Sequence, residues 1–188
     1  MKNLKKVLAL VLAMAMAFSL TAFAGASYSD FTDVSDIHHK EAVAELVELN
    51  VISGKEDGSY FDPAGTVTRA EMAKMICVVL NGGKNPVLTT KPTASYKDIK
   101  GTWAEAYIEY CSSEGIISGR GDGTFAPTAT VTASEGAKML LVALGFDSQV
   151  FNLTGANWAI NTNVLANQNG FYDELSNIGA DVALNREN

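Results

Sequence analysis

Basic residues are scarce in this chain of 188 residues: 14 lysines and arginines face 21 acids, a net charge of −7. An acidic chain has no long-range attraction for nucleic acid or for an anionic membrane surface, so any hold on an anionic polymer must come from a few placed cations. Nucleic acid is therefore not an expected partner. Histidine is scarcer still, with His38 and His39 adjacent and no third. No serine stands in a nucleophile-elbow context, so no hydrolytic triad can be assembled and no enzyme is expected. Two lone cysteines, Cys77 and Cys111, are too few for a metal site, and no metal or cofactor is expected. A disulfide and a pair of buried thiols both fit them.

Long apolar runs are also lacking, with one exception. Lys2, Lys5 and Lys6 precede the stretch from Val7 to Leu20, and Ala22-Phe23-Ala24 follows it. The run is short of the roughly 20 residues a spanning helix needs. Its basic start and small-residue end describe a secretory leader cleaved after Ala24, so residues 1–24 are expected to be absent from the mature protein, with no membrane insertion afterwards. Losing three lysines and no acid leaves the mature chain more acidic.

What is present is repetition. At an offset of 65, Asp33-Val34 falls on Asp98-Ile99, Ile52-Ser53-Gly54 on Ile117-Ser118-Gly119, and Asp57-Gly58 on Asp122-Gly123. After a one-residue slip, an offset of 64 matches Phe61 with Phe125, Pro63 with Pro127, Val67-Thr68 with Val131-Thr132, and Glu71 with Glu135. A third, divergent copy appears at an offset of 55, where Trp158-Ala159 meets Trp103-Ala104 and Gly170 meets Gly115. Such periods mean small units that stack to bury their apolar faces.

Each unit reads as helix, loop, helix. Val43, Leu46 and Val47 give the first helix its 3.6 period, and Met72, Met75, Ile76 and Val79 give the second. Thr68 with Glu71, and Thr132 with Glu135, form capping boxes in which each side chain satisfies an orphan amide; Thr102 with Glu105 has the same spacing. Gly115 and Gly145 end helices. Residues 28–82 make the first unit, 83–94 a linker rich in Pro, Thr and Ser, 95–146 the second unit and 147–188 a partial third. Arg69, one residue past the Thr68 cap, places a guanidinium at the positive end of a helix dipole, which is an anion site. On that reading Arg69→Ala removes binding and spares the fold.

Asp-hydrophobic start, Trp-Ala helix opening, Asp-Gly-x-Phe-x-Pro loop and Thr-Arg-Ala-Glu helix start together resemble the S-layer homology modules of bacterial cell-surface proteins. The resemblance implies an all-α fold of tandem helix-loop-helix modules, in a pseudo-threefold arrangement around a central helical bundle. It implies a non-enzymatic anchor that holds a secreted protein on the cell wall or surface layer. The ligand would be secondary cell-wall polysaccharide, often pyruvylated, held in grooves between modules, with other surface-layer subunits as further partners. The alternative is a protein-protein module of the layer that binds no glycan. The implied polysaccharide-facing residues are Arg69, Asp33, Asp98, Trp103, Trp158, Arg120 and Arg186. Ala133 stands where the second unit should carry its arginine, which puts that unit's groove in doubt, and the first unit offers His38 where the others carry tryptophan.

Other readings fail on the residues. An EF-hand register on the Asp-Gly loops puts Lys55 or Arg120 on a ligand position and Ala64 or Ala129 where the terminal Glu belongs. Arg120-Gly121-Asp122 spells an adhesion tripeptide but aligns with Lys55-Glu56-Asp57, and so is loop composition. Because Asn185-Arg186-Glu187-Asn188 starts the second helix of the third unit without its apolar stripe, 181–188 is expected to fray, with Arg186 less well held than Arg69. Trp158, Ile160, Val164 and Leu165 are then expected to be partly uncovered.

Overall fold

The computed structural model describes residues 27–55, 58–87, 94–173, 175 and 178–187; the leader and the centre of the linker lie outside the described residues. The fold is all-α. Five α-helices are present among the described residues: α1 (Lys40–Glu48), α2 (Arg69–Leu80), α3 (Glu105–Ser113), α4 (Ala133–Ala143) and α5 (Trp158–Gln168). Two 3-10 turns, Tyr28–Asp30 and Val34–Asp36, precede α1.

Local chemistry sets most of the helix ends. At α2 the Thr68 hydroxyl accepts from Glu71 N at 3.2 Å, and the Glu71 carboxylate accepts from Thr68 N at 2.7 Å. At α4 Thr132 and Glu135 repeat the exchange at 3.3 and 3.2 Å. Thr132→Ala should therefore lower stability by about 1 kcal/mol, read as a shifted denaturant midpoint with an unchanged slope. The box expected at Thr102 does not form. Thr102 lies in a turn, donating its hydroxyl to Ile99 O, and α3 begins two residues later than the motif suggests, with Ala104 at the cap and Glu105 accepting from Gly101 N. Helices α1, α3 and α5 each end on a left-handed residue, Asn50, Gly115 and Gly170, with φ of 56°, 71° and 75°.

Packing crosses the unit boundaries. The second helix of one unit lies on the first helix of the next, α2 on α3 and α4 on α5, and α2 also meets α4. The stripe from Met72 to Val79 thus does not shut its own unit, as the helix-loop-helix pattern suggested. It closes on the second unit, where the buried Cys111 thiol donates to Ala73 O at 3.4 Å. Cys77 lies in the same cluster, and both cysteines are free. Burial is the largest cause that pushes their thiols up, to about 11 for Cys77 and about 12 for Cys111.

Three extended segments close the centre. Val67 N donates to Leu184 O at 2.9 Å, Leu184 N to Val131 O at 3.0 Å and Val131 N to Val67 O at 2.9 Å. These three side chains are buried in one cluster with Ile76, Ile108 and Phe125. The fraying expected over 181–188 is therefore absent from its described part. Backbone pairing across units holds Leu184, and Arg186 N donates to Gly65 O at 2.8 Å. Glu187 reaches the start of α1, which has no side-chain cap of its own, and accepts from the backbone N–H of His38 and of His39. Long-range partners do here what the missing apolar stripe was expected to do. Of the apolar side chains expected to be partly uncovered in the third unit, Ile160 and Val164 are exposed and Trp158 and Leu165 are half-buried, Leu165 packing on a smaller core of Leu141, Leu153 and Ala166.

Candidate functional site: paired grooves between units

Each complete loop is built on an aspartate. Asp33 accepts from Phe61 N at 2.8 Å and Asp62 N at 2.7 Å, and Asp98 accepts from Phe125 N at 2.9 Å and Ala126 N at 2.8 Å. Asp62 and Ala126 both stand at φ 59°, so the carboxylate secures a backbone conformation that side chains disfavour. Partial burial works to raise both aspartate pKa values, but the amide hydrogen bonds prevail and hold the carboxyls below their ordinary range. Neither aspartate lines the grooves described below. Their lowered pKa values give a signed expectation: the stability they contribute is fully present above the unfolded carboxylate value and is lost as pH falls through the depressed folded value. Asp98→Asn should cost about 1.5–3 kcal/mol at pH 7 and flatten the acid limb of a stability-pH curve measured by denaturant unfolding.

The gripped loops bury Phe61 and Phe125, and each ring carries an arginine from another unit. Arg69 donates Nε to Phe125 O and Nη2 to Ser118 O, both at 2.9 Å, with its guanidinium 4.5 Å from the Phe125 centroid. Arg186 repeats this on the first unit, Nε to Phe61 O at 2.6 Å and Nη2 to Ser53 O at 2.9 Å, 4.7 Å from the Phe61 centroid. Arg69 is 3% exposed, which overturns its reading as an open cation at a helix tip. Burial lowers the pKa of both guanidinium groups, yet their intrinsic basicity keeps them charged at neutral pH. Arg186 is held in the same way as Arg69.

Beside each arginine lies a groove, one of about 400 Å³ at the second unit's loop and one of about 560 Å³ at the first unit's. Their walls correspond residue by residue. Ser118, Gly119 and Arg120 of one stand where Ser53, Gly54 and Lys55 of the other stand; Glu135 and Lys138 correspond to Glu71 and Lys74, and Trp158 to Trp103. Every wall draws on three units: an arginine from one, loop and helix from the next, an indole from the one after. A Cβ on Gly119 would come within 2.6 Å of Thr124 O, and one on Gly54 within 2.4 Å of Gly58 O, so the tight loop floor requires glycine.

This geometry reassigns the effect of Ala133. The arginine position serves the following unit's loop, so Arg69 completes the second unit's groove. Ala133 meets the third unit instead, where Ala133 N donates to Val182 O and the Ser134 hydroxyl to Ala180 O. The groove of the second unit is complete.

The charges are ordered. In the smaller groove Glu135 Oε1 lies 2.6 Å from Arg120 Nη1 and 3.4 Å from Arg69 Nη1, so one acid orients two cations. Lys138 Nζ sits 5.4 Å from the Trp158 centroid, and burial lowers its pKa. In the larger groove Lys55 pairs with Asp62 at 2.5 Å, and Lys74 lines the wall with Arg186. Trp103 is 61% exposed and meets Tyr107 at a tilt, so it is not a core residue. Of the residues expected to face a ligand, Arg69, Arg120 and Trp158 converge on one groove, Arg186 and Trp103 on the other, and Asp33 and Asp98 on neither. Sequence reasoning missed Lys74 and Lys138. The signal was available, since the offset of 64 superposes Ala73-Lys74-Met75 on Ala137-Lys138-Met139.

Repeated units whose grooves are completed by their neighbours define a modular repeat domain. The family model described as "S-layer homology domain" matches residues 30–73 and 95–132, and the chain carries two S-layer homology repeats. Among curated proteins it is similar to the "Cell surface protein" of Thermoanaerobacter kivui, at 33% identity over 78% of this chain and 19% of that protein. It is also similar to the "S-layer protein EA1" of Bacillus anthracis, at 31% over 78% and 16%. The "Cellulosome-anchoring protein" of Acetivibrio thermocellus matches at 32% over 58% and 25%. The chain spans no more than a quarter of the length of these relatives.

Proposed function

We propose that the chain is a non-enzymatic anchor that holds an exported protein on the bacterial cell wall by binding anionic wall polysaccharide in its two grooves. The observation that carries this reading is the recurrence, in an acidic chain, of one wall pattern of arginine, lysine and indole. A carboxylate such as that of a ketal-linked pyruvate suits the lysine and the edge of the oriented guanidinium groups. An indole face covers the apolar side of a sugar ring. In this reading Lys138 with Trp158, and Lys74 with Trp103, contact the glycan, while Arg69 and Arg186 shape the grooves and contribute their charge. Asp33 and Asp98 act through the loops they hold. The units at 28–82, 95–146 and 147–188 stand about a pseudo-threefold axis, with the ring of Val67, Val131 and Leu184 in support. The leader is removed after Ala24, and no cofactor takes part.

The test is retention on purified wall sacculi before and after the secondary polysaccharide is extracted. Retention that disappears with the polysaccharide supports the anchor. Equal retention on stripped sacculi would move the function to protein-protein assembly, a reading favoured by exposed apolar side chains such as Val150, Ile160 and Val164. EDTA should leave retention unchanged at physiological salt, since the loop register places cations where calcium ligands belong.

A further inference from the structure

The two grooves have matching walls and unequal charge. In the smaller, Arg69, Arg120 and Lys138 share one acid, Glu135. In the larger, Arg186, Lys55 and Lys74 line the wall with Glu71, and a second acid stands beside them, since Asp62 holds Lys55 Nζ at 2.5 Å. At the offset of 64 the second unit carries Ala126 in place of Asp62, so the loop position that gives Lys55 a carboxylate gives Arg120 a methyl group. Asp62 and Ala126 share a left-handed φ of 59°, and Asp33 and Asp98 grip their amides alike. The second loop therefore closes without the ion pair, and the pair is not what shapes the turn. The difference continues along the opening helices. Lys138 Nζ stands over the Trp158 ring, and one turn further along α5 lies the fully buried Thr162. Trp103 is open, and one turn further along α3 lies Tyr107, at the position that aligns with Thr162, its ring centroid 6.2 Å from that of Trp103.

Building on the glycan reading of both grooves, we propose that Asp62 is a positioning residue that makes them unequal: by holding Lys55 it leaves the larger groove a site for a weakly charged sugar face and directs the more densely anionic part of the glycan to the smaller groove. A cation already paired has part of its field cancelled and must give up its partner to meet a ligand carboxylate, whereas Glu135 is shared between two guanidinium groups and cancels neither in full. Lys74 and Arg186 still meet a single carboxylate in the larger groove. The rings of Trp103 and Tyr107 add apolar surface beside it, an attraction that salt does not screen.

The probe is purified wall polysaccharide, titrated calorimetrically into the full chain at low and at physiological salt, with the two residues exchanged. In a Lys138→Ala background, which leaves the larger groove as the main site, Asp62→Ala should tighten binding about fivefold at low salt and steepen its salt dependence, and Asp62→Asn should do the same. In the parent chain Ala126→Asp should weaken binding about fivefold and flatten its salt dependence, because the acid then stands beside Arg120. Asp62→Ala and Ala126→Asp each introduce the residue that the other unit already carries at that position, so the fold should hold, and melting verifies it. An ion pair that only fastened the turn would shift melting and leave affinity and salt dependence in place. Binding by the parent that is indifferent to both exchanges would overturn this role of Asp62 and leave the grooves as glycan sites. Absence of binding by the parent would overturn the glycan reading and the role of Asp62 with it.

Discussion

Replacing Arg69 with alanine should lower the unfolding free energy by about 3 kcal/mol and the melting temperature by roughly 10 °C. The substitution leaves Phe125 O and Ser118 O without their charged donor and removes the cation from above the Phe125 ring. Unmet buried acceptors cost more than the hydrogen bonds themselves contribute. Arg69→Lys should recover little, because an ammonium cannot fork to two carbonyls while lying flat on a ring. Arg186→Ala should cost less, since that side chain is only partly buried. A midpoint for Arg69→Ala within about 0.5 kcal/mol of the parent would show that the guanidinium does not staple the units together.

The second large effect runs the other way. Lys138→Ala and Lys74→Ala should leave stability within about 0.5 kcal/mol, because each lysine lines a groove and takes part in no cap or backbone bridge. Each should nevertheless weaken retention on polysaccharide-bearing wall about tenfold, the loss of one charge-assisted contact. The double variant should lose about a hundredfold, the product of the singles, if one polymer chain occupies both grooves, since the second contact is then intramolecular. Trp103→Ala joins this group, as its ring is mostly exposed. Paired measurements of melting and retention thus separate residues that build the groove from residues that face its ligand.

Local rules made much of this fold legible. The two capping boxes, the glycine-terminated helix ends and most of the apolar stripes follow from spacing within a turn or two; in α2, however, Val79 of the expected stripe is exposed and Cys77 and Val78 are buried. What spacing could not give is which unit a side chain serves. Arg69 lies in the first unit and completes the second, so a reading confined to one unit made it an open cation and made Ala133 a defect of the wrong groove. The same limit applies to Arg186 and Glu187, whose partners Phe61, Ser53 and His39 lie more than a hundred residues earlier in the chain. Asp33 and Asp98 stand out in the repeat, but a carboxylate gripping two amides and one facing a ligand look alike in sequence. Lys74 and Lys138 correspond in the repeat, but a lysine on an amphipathic helix carries no mark of a groove until the neighbouring unit is in place.

The most direct test of the grooves is a calorimetric titration of the chain with purified wall polysaccharide, intact and after its acidic substituents have been removed. Saturable heat with the intact polymer, abolished both by that removal and by the Lys74→Ala, Lys138→Ala double substitution in a protein of unchanged melting temperature, is the expected result. Equal binding of the stripped polymer, or full binding by the double variant, would contradict the assignment of the grooves to an anionic glycan.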